Sequence, residues 1–156
     1  MKELMTKWRE LEKITTDERR KYFRKNYPNL CEDIIEYVLD RHLGATQIYE
    51  EFEFIDLKNC KVEKLDLSTE QVFNVEYAQF CSFRNESWKY FDAAQSLIEN
   101  EWTKSGTWQG PILVTRVNDK FVAIDGNNRL RILRCFLKYS DKYKSPYHTI
   151  YYIHNQ

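Results

Sequence analysis

Residues 110–137 have the sequence GPILVTRVNDKFVAIDGNNRLRILRCFL, and this stretch decides the fold. The apolar run at 111–115 predicts a strand, and 117–120 predicts a tight turn. Residues 121–124 predict a second strand, whose continuous apolar residues indicate burial on both faces. The segment Asp125–Arg129 follows, and then a helix. The stretch therefore predicts a hairpin that leads directly into a helix.

The predicted helix has two different faces. One is apolar and should pack, and the other is basic, so we expect it to face solvent. The apolar face carries Leu130, Leu133, Phe136 and Leu137, and the basic face carries Arg131, Arg134 and Lys138.

The turn between the second strand and the helix, Asp125 to Arg129, is a candidate anion site. A strand that opens directly into a helix leaves the first backbone N–H groups of the helix without intrahelical partners. Gly126 would let the backbone approach a ligand closely, and the guanidinium of Arg129 could hold two oxygens of a phosphate or carboxylate. A purely structural interpretation is also open, in which Asp125 or Asn127 caps the helix, Gly126 forms the turn and Arg129 is a solvated surface residue.

Three runs of sequence carry a resemblance to a known family. The runs SLIENEW, GTWQGPILV and KFVAIDGNNRLRIL resemble the core of the ParB/sulfiredoxin-like superfamily. In that family a G-x-x-R turn opens a helix and binds phosphate, and Gly126 to Arg129 match this turn. The string DGNNR is also similar to the DGQHR and DGNHR variants of its relatives. The match covers about Ser87–Phe136, with a final strand expected at His148–Ile153.

The resemblance implies an α/β (α+β) fold at about residues 61–153, with a small mixed sheet and flanking helices. It implies catalytic roles for Asp125 and Arg129, with Asp125 as a base or an anchor for metal-bound water. It also implies a nucleotide or phosphorylated small molecule as ligand, with Mg²⁺ as a candidate cofactor. The phosphate-binding residues that it implies are Gln109, Gly110, Gly126, Asn127, Asn128 and Arg129.

Two departures from the family pattern limit the activities that we expect of this chain. Sulfiredoxins have a catalytic cysteine directly after the glycine, where this chain has Asn127, and Cys135 should be buried along the helix. Sulfinic acid reduction is therefore not expected. The partition proteins have a G-E-x-R turn and further DNA-binding and dimerisation domains, and neither the glutamate nor those domains are present here.

Two classes of function stay open. The first is an enzyme that binds a nucleotide or phosphate ester, as a nucleotide hydrolase, phosphotransferase or nuclease. The second is a non-catalytic binding or inhibitory module that contacts a partner protein or nucleic acid, in a phage, plasmid or defence context. Fold alone does not choose between them.

The composition is that of one globular domain. The chain has 156 residues, of which 42% are hydrophobic and 15% aromatic. No run approaches the ~18 apolar residues of a membrane span. The charged N-terminus is not a secretory signal, so we expect a cytoplasmic protein. The four cysteines are far apart and predict reduced, mostly buried thiols, while His148 and His154 are expected at the surface, so no metal site is predicted.

Charge is unevenly distributed although the net charge is zero. Residues 46–109 contain 12 acidic and 6 basic side chains, whereas residues 110–156 contain 3 acidic and 8 basic ones. The candidate anion site therefore lies in the basic segment. This excess is much smaller than duplex DNA binding usually demands.

The remaining sequence predicts helices first and a strand later. Residues 1–45 predict a helical arm or cap in three segments, the second capped by Thr16 and Asp17 and the third running from Pro28 to Gly44. Residues 62–67 predict a strand. Ser87 is expected to cap a helix over 88–102, followed by a loop at 104–110.

Overall fold

The computed structural model describes residues 1–36, 50–81, 86–104, 106–143 and 145–155. The chain folds into two compact units. The first comprises Met1–Glu63 together with Ile153–Gln156, and the second comprises Lys64–Tyr152.

The first unit contains three described helices, α1 (Lys2–Leu11), α2 (Thr16–Asn26) and α3 (Glu32–Ile34). The capping residue of α2 is Thr15, whose hydroxyl accepts from the Glu18 N–H while the Glu18 carboxylate accepts from the Thr15 N–H. Capping by Thr16 and Asp17 was therefore wrong by one residue, because the S/T-x-x-E capping box begins at Thr15. Residues 37–49, which include most of the predicted third helix, lie outside the described residues.

The described residues contain four longer strands, β1 (Val62–Ser68), β4 (Leu113–Val117), β5 (Lys120–Asp125) and β6 (Tyr147–Ile153). They form a four-stranded mixed sheet in the order β1-β6-β4-β5. The inner strand β4 pairs antiparallel with β5 and parallel with β6. This confirms the predicted α+β class, the strand predicted at residues 62–67, the hairpin and the final strand.

The hairpin of β4 and β5 has a two-residue turn, since Val117 pairs with Lys120. Of the apolar run 121–124, residues 122–124 are buried as predicted, whereas Phe121 is only partly buried. The outer edge of β5 is partly covered, because the Glu76 N–H donates to the Phe121 carbonyl at 2.8 Å and the Ala123 N–H donates to the Glu76 carbonyl at 2.9 Å. β5 is thus hydrogen-bonded on both of its edges, to β4 on one and to Glu76 on the other.

Three helices and a small hairpin complete the second unit. The helices are α4 (Thr69–Phe73), α5 (Trp88–Glu101) and α6 (Asn127–Tyr139), and the hairpin pairs β2 (Thr103–Lys104) with β3 (Thr107–Trp108). The helix predicted after Ser87 is confirmed. The segment 104–110 contains β3 and the end of β2, so its prediction as a loop was wrong in part.

The basic face of α6 is not uniformly exposed. Leu130, Leu133 and Phe136 lie in the core as predicted, but Arg134 is also buried, with 7% of its surface exposed. The expectation that this face is solvated was therefore wrong for Arg134, because its partners come from sequence segments far from α6.

Candidate functional site

The turn after β5 is fixed by Gly126. Its φ of 79° lies in the left-handed region, and it is the N-cap residue of the 13-residue helix α6. A Cβ at this position would lie 2.8 Å from the Pro111 carbonyl oxygen. Because left-handed backbone is costly for residues with a Cβ, both the turn and the space around it require glycine. The interpretation in which Asp125 or Asn127 is the N-cap residue is wrong.

The two asparagines of the turn differ in exposure. Asn127 is buried; its Oδ1 accepts from the Ala78 N–H at 2.9 Å, and its Nδ2 donates to the Ala123 carbonyl at 3.2 Å. Asn128 is exposed. The side-chain amide of Asn127 therefore holds the turn in place, and Asn128 presents its side chain to solvent.

Asp125 and Arg129 form a buried ion pair, with Arg129 Nη2 and Asp125 Oδ2 at 2.6 Å. Only 4% of Asp125 and 6% of Arg129 is exposed. Arg129 Nε also donates to the Pro111 carbonyl. The alternative in which Arg129 is a solvated surface residue is wrong. The carboxylate of Asp125 and the carbonyl of Pro111 together hold the guanidinium in one orientation.

Trp102 lies beside Arg129, and Trp108 packs against Trp102. The ring centroid of Trp102 lies 5.9 Å from Arg129 Cζ, and the rings of Trp102 and Trp108 are 5.7 Å apart. A Cβ on Gly110 would lie 2.7 Å from the Trp108 ring and 3.0 Å from the Trp102 ring. Gly110 thus leaves room for both indoles.

The indole N–H groups of these tryptophans are in different situations. Trp108 Nε1 donates to the Gly110 carbonyl at 2.6 Å. Trp102 Nε1 is buried and has no hydrogen-bond partner in the structure. Neither tryptophan was among the predicted site residues, although both closely precede the Gly110–Pro111 segment.

The structure brings most of the predicted residues together. Arg129 donates a hydrogen bond to the Pro111 carbonyl and so links the turn to the 110–111 segment. Gly110 therefore lies close to residues 125–129. Gln109 is exposed, and its backbone N–H donates to the Trp102 carbonyl at 2.6 Å. The candidate site therefore consists of the segment between β3 and β4 together with the start of α6.

A second polar cluster surrounds Arg134. Its Nη1 lies 2.9 Å from Glu86, its Nη2 donates to the carbonyls of Val72, Phe73 and Val75, and its Cζ lies 4.7 Å from the Tyr77 ring centroid. These contacts connect α6 to the end of α4.

Glu86 is the acidic centre of this cluster. It accepts hydrogen bonds from Tyr77 at 2.7 Å and from Lys138 at 2.5 Å as well as from Arg134. Burial alone would raise the pKa of Glu86, but the hydrogen bonds from Lys138, Tyr77 and Arg134 outweigh it and lower the pKa. Burial raises the pKa of Tyr77, and its hydrogen bond to Glu86 adds to this.

A cleft of about 810 Å³ lies beside this cluster. Its lining includes Phe73, Tyr77, Glu86 and Arg134, with Glu76 and Lys120 also in the lining. Glu76 and Lys120 pair with each other at 2.6 Å, and Glu86 pairs with Arg134. The charges around the cleft are thus compensated within the protein.

His148 is buried, with 1% exposed, although it was expected at the surface. Its Nε2 lies 3.2 Å from Thr69 Oγ1 and its Nδ1 lies 2.9 Å from the Tyr143 hydroxyl. Burial lowers the pKa of His148. The strand pattern did not reveal this burial, because Thr69 is 79 residues away in sequence and Tyr143 lies outside the strand.

The cysteines are mostly buried thiols. All four cysteines are free, and Cys60, Cys81 and Cys135 are buried. Burial raises the pKa of Cys135 to about 11, which keeps it protonated near neutral pH. Within the described ranges, no group of three or more His, Cys, Asp or Glu side chains could hold a metal ion.

Comparison with known proteins gives no relative: no protein-family model, curated protein or solved structure matches this chain. Among the described helices, none is both long and apolar enough to cross a membrane.

Proposed function

We propose that the turn Asp125–Arg129 binds the phosphate group of a nucleotide or another phosphate ester. The observation that carries the proposal is the left-handed Gly126 at the start of α6, with the buried Arg129 directly beside it. The positive end of the helix dipole favours an anion at this position. The resemblance of residues 126–129 to the G-x-x-R turn of the ParB/sulfiredoxin-like superfamily supports the same ligand class.

Asp125 and Arg129 would contribute mainly through pre-organisation. Arg129 donates to Asp125 and to the Pro111 carbonyl, so its orientation is set before a ligand arrives. An arginine that is already ordered loses less conformational entropy on binding than a mobile surface arginine. The exposed side chain of Asn128, at the second position of α6, adds a polar group that reaches the ligand from solvent.

Hydrolysis or phosphoryl transfer would be a further step of this proposal. In such reactions positioning and charge stabilisation supply most of the rate enhancement. Asp125 would act as base or as an anchor for metal-bound water, because carboxylate oxygens suit Mg²⁺ when phosphate oxygens complete its coordination. In a non-enzymatic protein the same turn would only bind the ligand.

A second candidate function, a module that contacts a partner protein or nucleic acid, is favoured by two exposed aromatic residues. Trp88 is 52% exposed and Tyr139 is 36% exposed, and their rings meet edge to face at 5.5 Å. Large exposed aromatic side chains are enriched at binding surfaces. A Trp88→Ser variant that keeps all phosphate affinity but loses partner capture would favour this candidate.

The proposed phosphate site is tested by comparing two buried arginines of α6. Arg129 and Arg134 are 6% and 7% exposed and each pairs with a carboxylate. Arg129→Lys and Arg134→Lys should therefore disturb stability through the same kind of defect. Only Arg129→Lys should weaken binding of inorganic phosphate, pyrophosphate or nucleotides in isothermal titration calorimetry, by about tenfold or more. Equal affinities of the wild type and Arg129→Lys would exclude this site.

A further inference from the structure

We propose that the indole N–H of Trp102 is an additional hydrogen-bond donor to the bound phosphate ester; the inference rests on the function proposed above. In the described part of the second unit, Trp102 Nε1 is the only buried side-chain nitrogen or oxygen without a hydrogen-bond partner. Buried polar groups are nearly always paired, because an unpaired buried donor costs free energy. Such a donor beside a candidate binding turn indicates a partner that arrives with the ligand.

The position of Trp102 fits this role. Its ring centroid is 5.9 Å from Arg129 Cζ, and it lies against Gly110, whose missing side chain leaves the ring its space. The hairpin of β2 and β3 fixes its backbone, since the Gln109 N–H donates to the Trp102 carbonyl. A ligand held at the start of α6 would therefore lie close to the ring that carries this donor.

The acceptor that fits is an oxygen of a phosphate or another anion. Trp102 can only donate through its indole, and Arg129 beside it also has donors only. A cationic or purely donating ligand would find no acceptor in either group. The two residues together thus favour a ligand rich in acceptor oxygens, such as a diphosphate.

Trp108 provides a matched control, because its indole N–H is satisfied by the Gly110 carbonyl. Each tryptophan is replaced by phenylalanine, which keeps an aromatic ring and removes the N–H. In urea unfolding without ligand, Trp108→Phe should lose stability, and Trp102→Phe should lose clearly less, since no hydrogen bond is removed. Equal losses would mean that the Trp102 N–H is already paired, and would overturn the inference.

The binding measurement uses pyrophosphate and isothermal titration calorimetry. Trp102→Phe should weaken binding by about tenfold, the effect of removing one charge-assisted hydrogen bond. Unchanged affinity of Trp102→Phe together with weakened binding by Arg129→Lys would overturn the role of Trp102 and leave the phosphate site standing. If the wild type binds neither pyrophosphate nor any nucleotide tested, both proposals fail.

An NMR measurement on the wild type covers the case in which Trp102→Phe does not fold. The chain has four tryptophans, so ¹⁵N-indole labelling gives four N–H signals that variants of the other three assign by elimination. Pyrophosphate should move the Trp102 signal downfield, as expected for a new hydrogen bond to an anion. A Trp102 signal that does not move at saturating pyrophosphate would overturn the inference.

Discussion

At the scale of single residues, Asp125 has a role that its sequence position did not reveal. Its place between a buried strand and a helix is compatible with a capping residue or with an acid that acts on a ligand. In the structure its carboxylate pairs with Arg129 four residues later, and both side chains are buried. Removing one partner of a buried ion pair leaves an uncompensated charge in the interior. Loss of this contact should therefore destabilise the protein much more than loss of a helix cap.

Replacement of Asp125 should therefore destabilise the protein strongly. We expect Asp125→Ala to lower the free energy of unfolding by about 3–5 kcal/mol. Asp125→Asn should cost less, because the amide oxygen still accepts from Arg129. Urea denaturation followed by circular dichroism measures both changes.

The control for this prediction is Glu76→Gln. Glu76 and Lys120 are also 2.6 Å apart, but their side chains are 50% and 64% exposed. An exposed pair contributes little to stability, because water screens its charges and both side chains lose freedom on pairing. Similar losses for Asp125→Ala and Glu76→Gln would contradict a special role for the buried pair.

At the scale of secondary-structure elements, the hairpin of β4 and β5 carries the candidate turn and depends on its own tight turn. Asn118 and Asp119 have φ angles of 50° and 64°. Two positive φ angles in a two-residue hairpin loop are typical of a type I′ turn, in which Asn-Gly is a favoured pair.

We expect Asp119→Gly to stabilise the protein. Left-handed backbone costs a residue with a Cβ roughly 1–2 kcal/mol, and glycine avoids this cost. Glycine also gives the unfolded chain more conformational freedom, which lowers the stability of the folded state by about 0.4–1 kcal/mol. A net increase of up to about 1 kcal/mol in the free energy of unfolding should appear in urea titrations. Asn118→Ala is the opposite control and should destabilise. A loss of stability in Asp119→Gly would show that the Asp119 side chain matters more than its backbone conformation.

The same elements show which features can be predicted from sequence. The strands of the four-stranded sheet, α5 and α6 were predictable because each has a local apolar pattern of sufficient length. The five-residue helix α4 was not, since one turn of helix is too short for a periodic pattern. Arg134 was misplaced because Glu86 and the α4 carbonyls that bury it lie 48–62 residues away in sequence.

The candidate site shows the same limit. The turn residues 125–129 are contiguous, so the sequence could indicate them together. The partners of Arg129 and Asn127 at Pro111 and Ala78, and the nearby Trp102, are brought in by the fold. The sequence could therefore locate the turn, but the ion pair and the unpaired indole N–H could be found only in the three-dimensional structure.

At the scale of the whole molecule, the chain consists of two compact units, and the candidate site lies entirely within the second. The core cluster of the second unit includes buried residues from β1, α4, α5, β4, β5, α6 and β6. The site residues thus rest on a core to which most elements of that unit contribute. A variant that disrupts the packing of this core should therefore also disrupt the candidate site.

His148 makes the stability of this unit depend on pH. It joins β6 to Thr69 at the start of α4 and to Tyr143 after α6. Because burial lowers its pKa below the ordinary value of 6.5, the folded state favours neutral His148. As pH falls below about 6.5, the unfolded chain takes up a proton before the folded protein does, and stability falls. This contribution is fully present above pH 6.5 and decreases towards the lower pKa of the folded state.

We expect the free energy of unfolding of the wild type to decrease between about pH 7.5 and pH 5 more steeply than that of His148→Gln. Glutamine can still form hydrogen bonds with the hydroxyls of Thr69 and Tyr143, but it does not titrate. Urea denaturation at several pH values gives both curves, and their difference isolates His148 from the carboxylates that also titrate at the acidic end. His154→Gln is the control, because the side chain of His154 is 32% exposed and the contribution of His148 should persist in that variant. Parallel curves for the wild type and His148→Gln would mean that His148 takes up its proton equally in the folded and unfolded states, in contradiction to its burial.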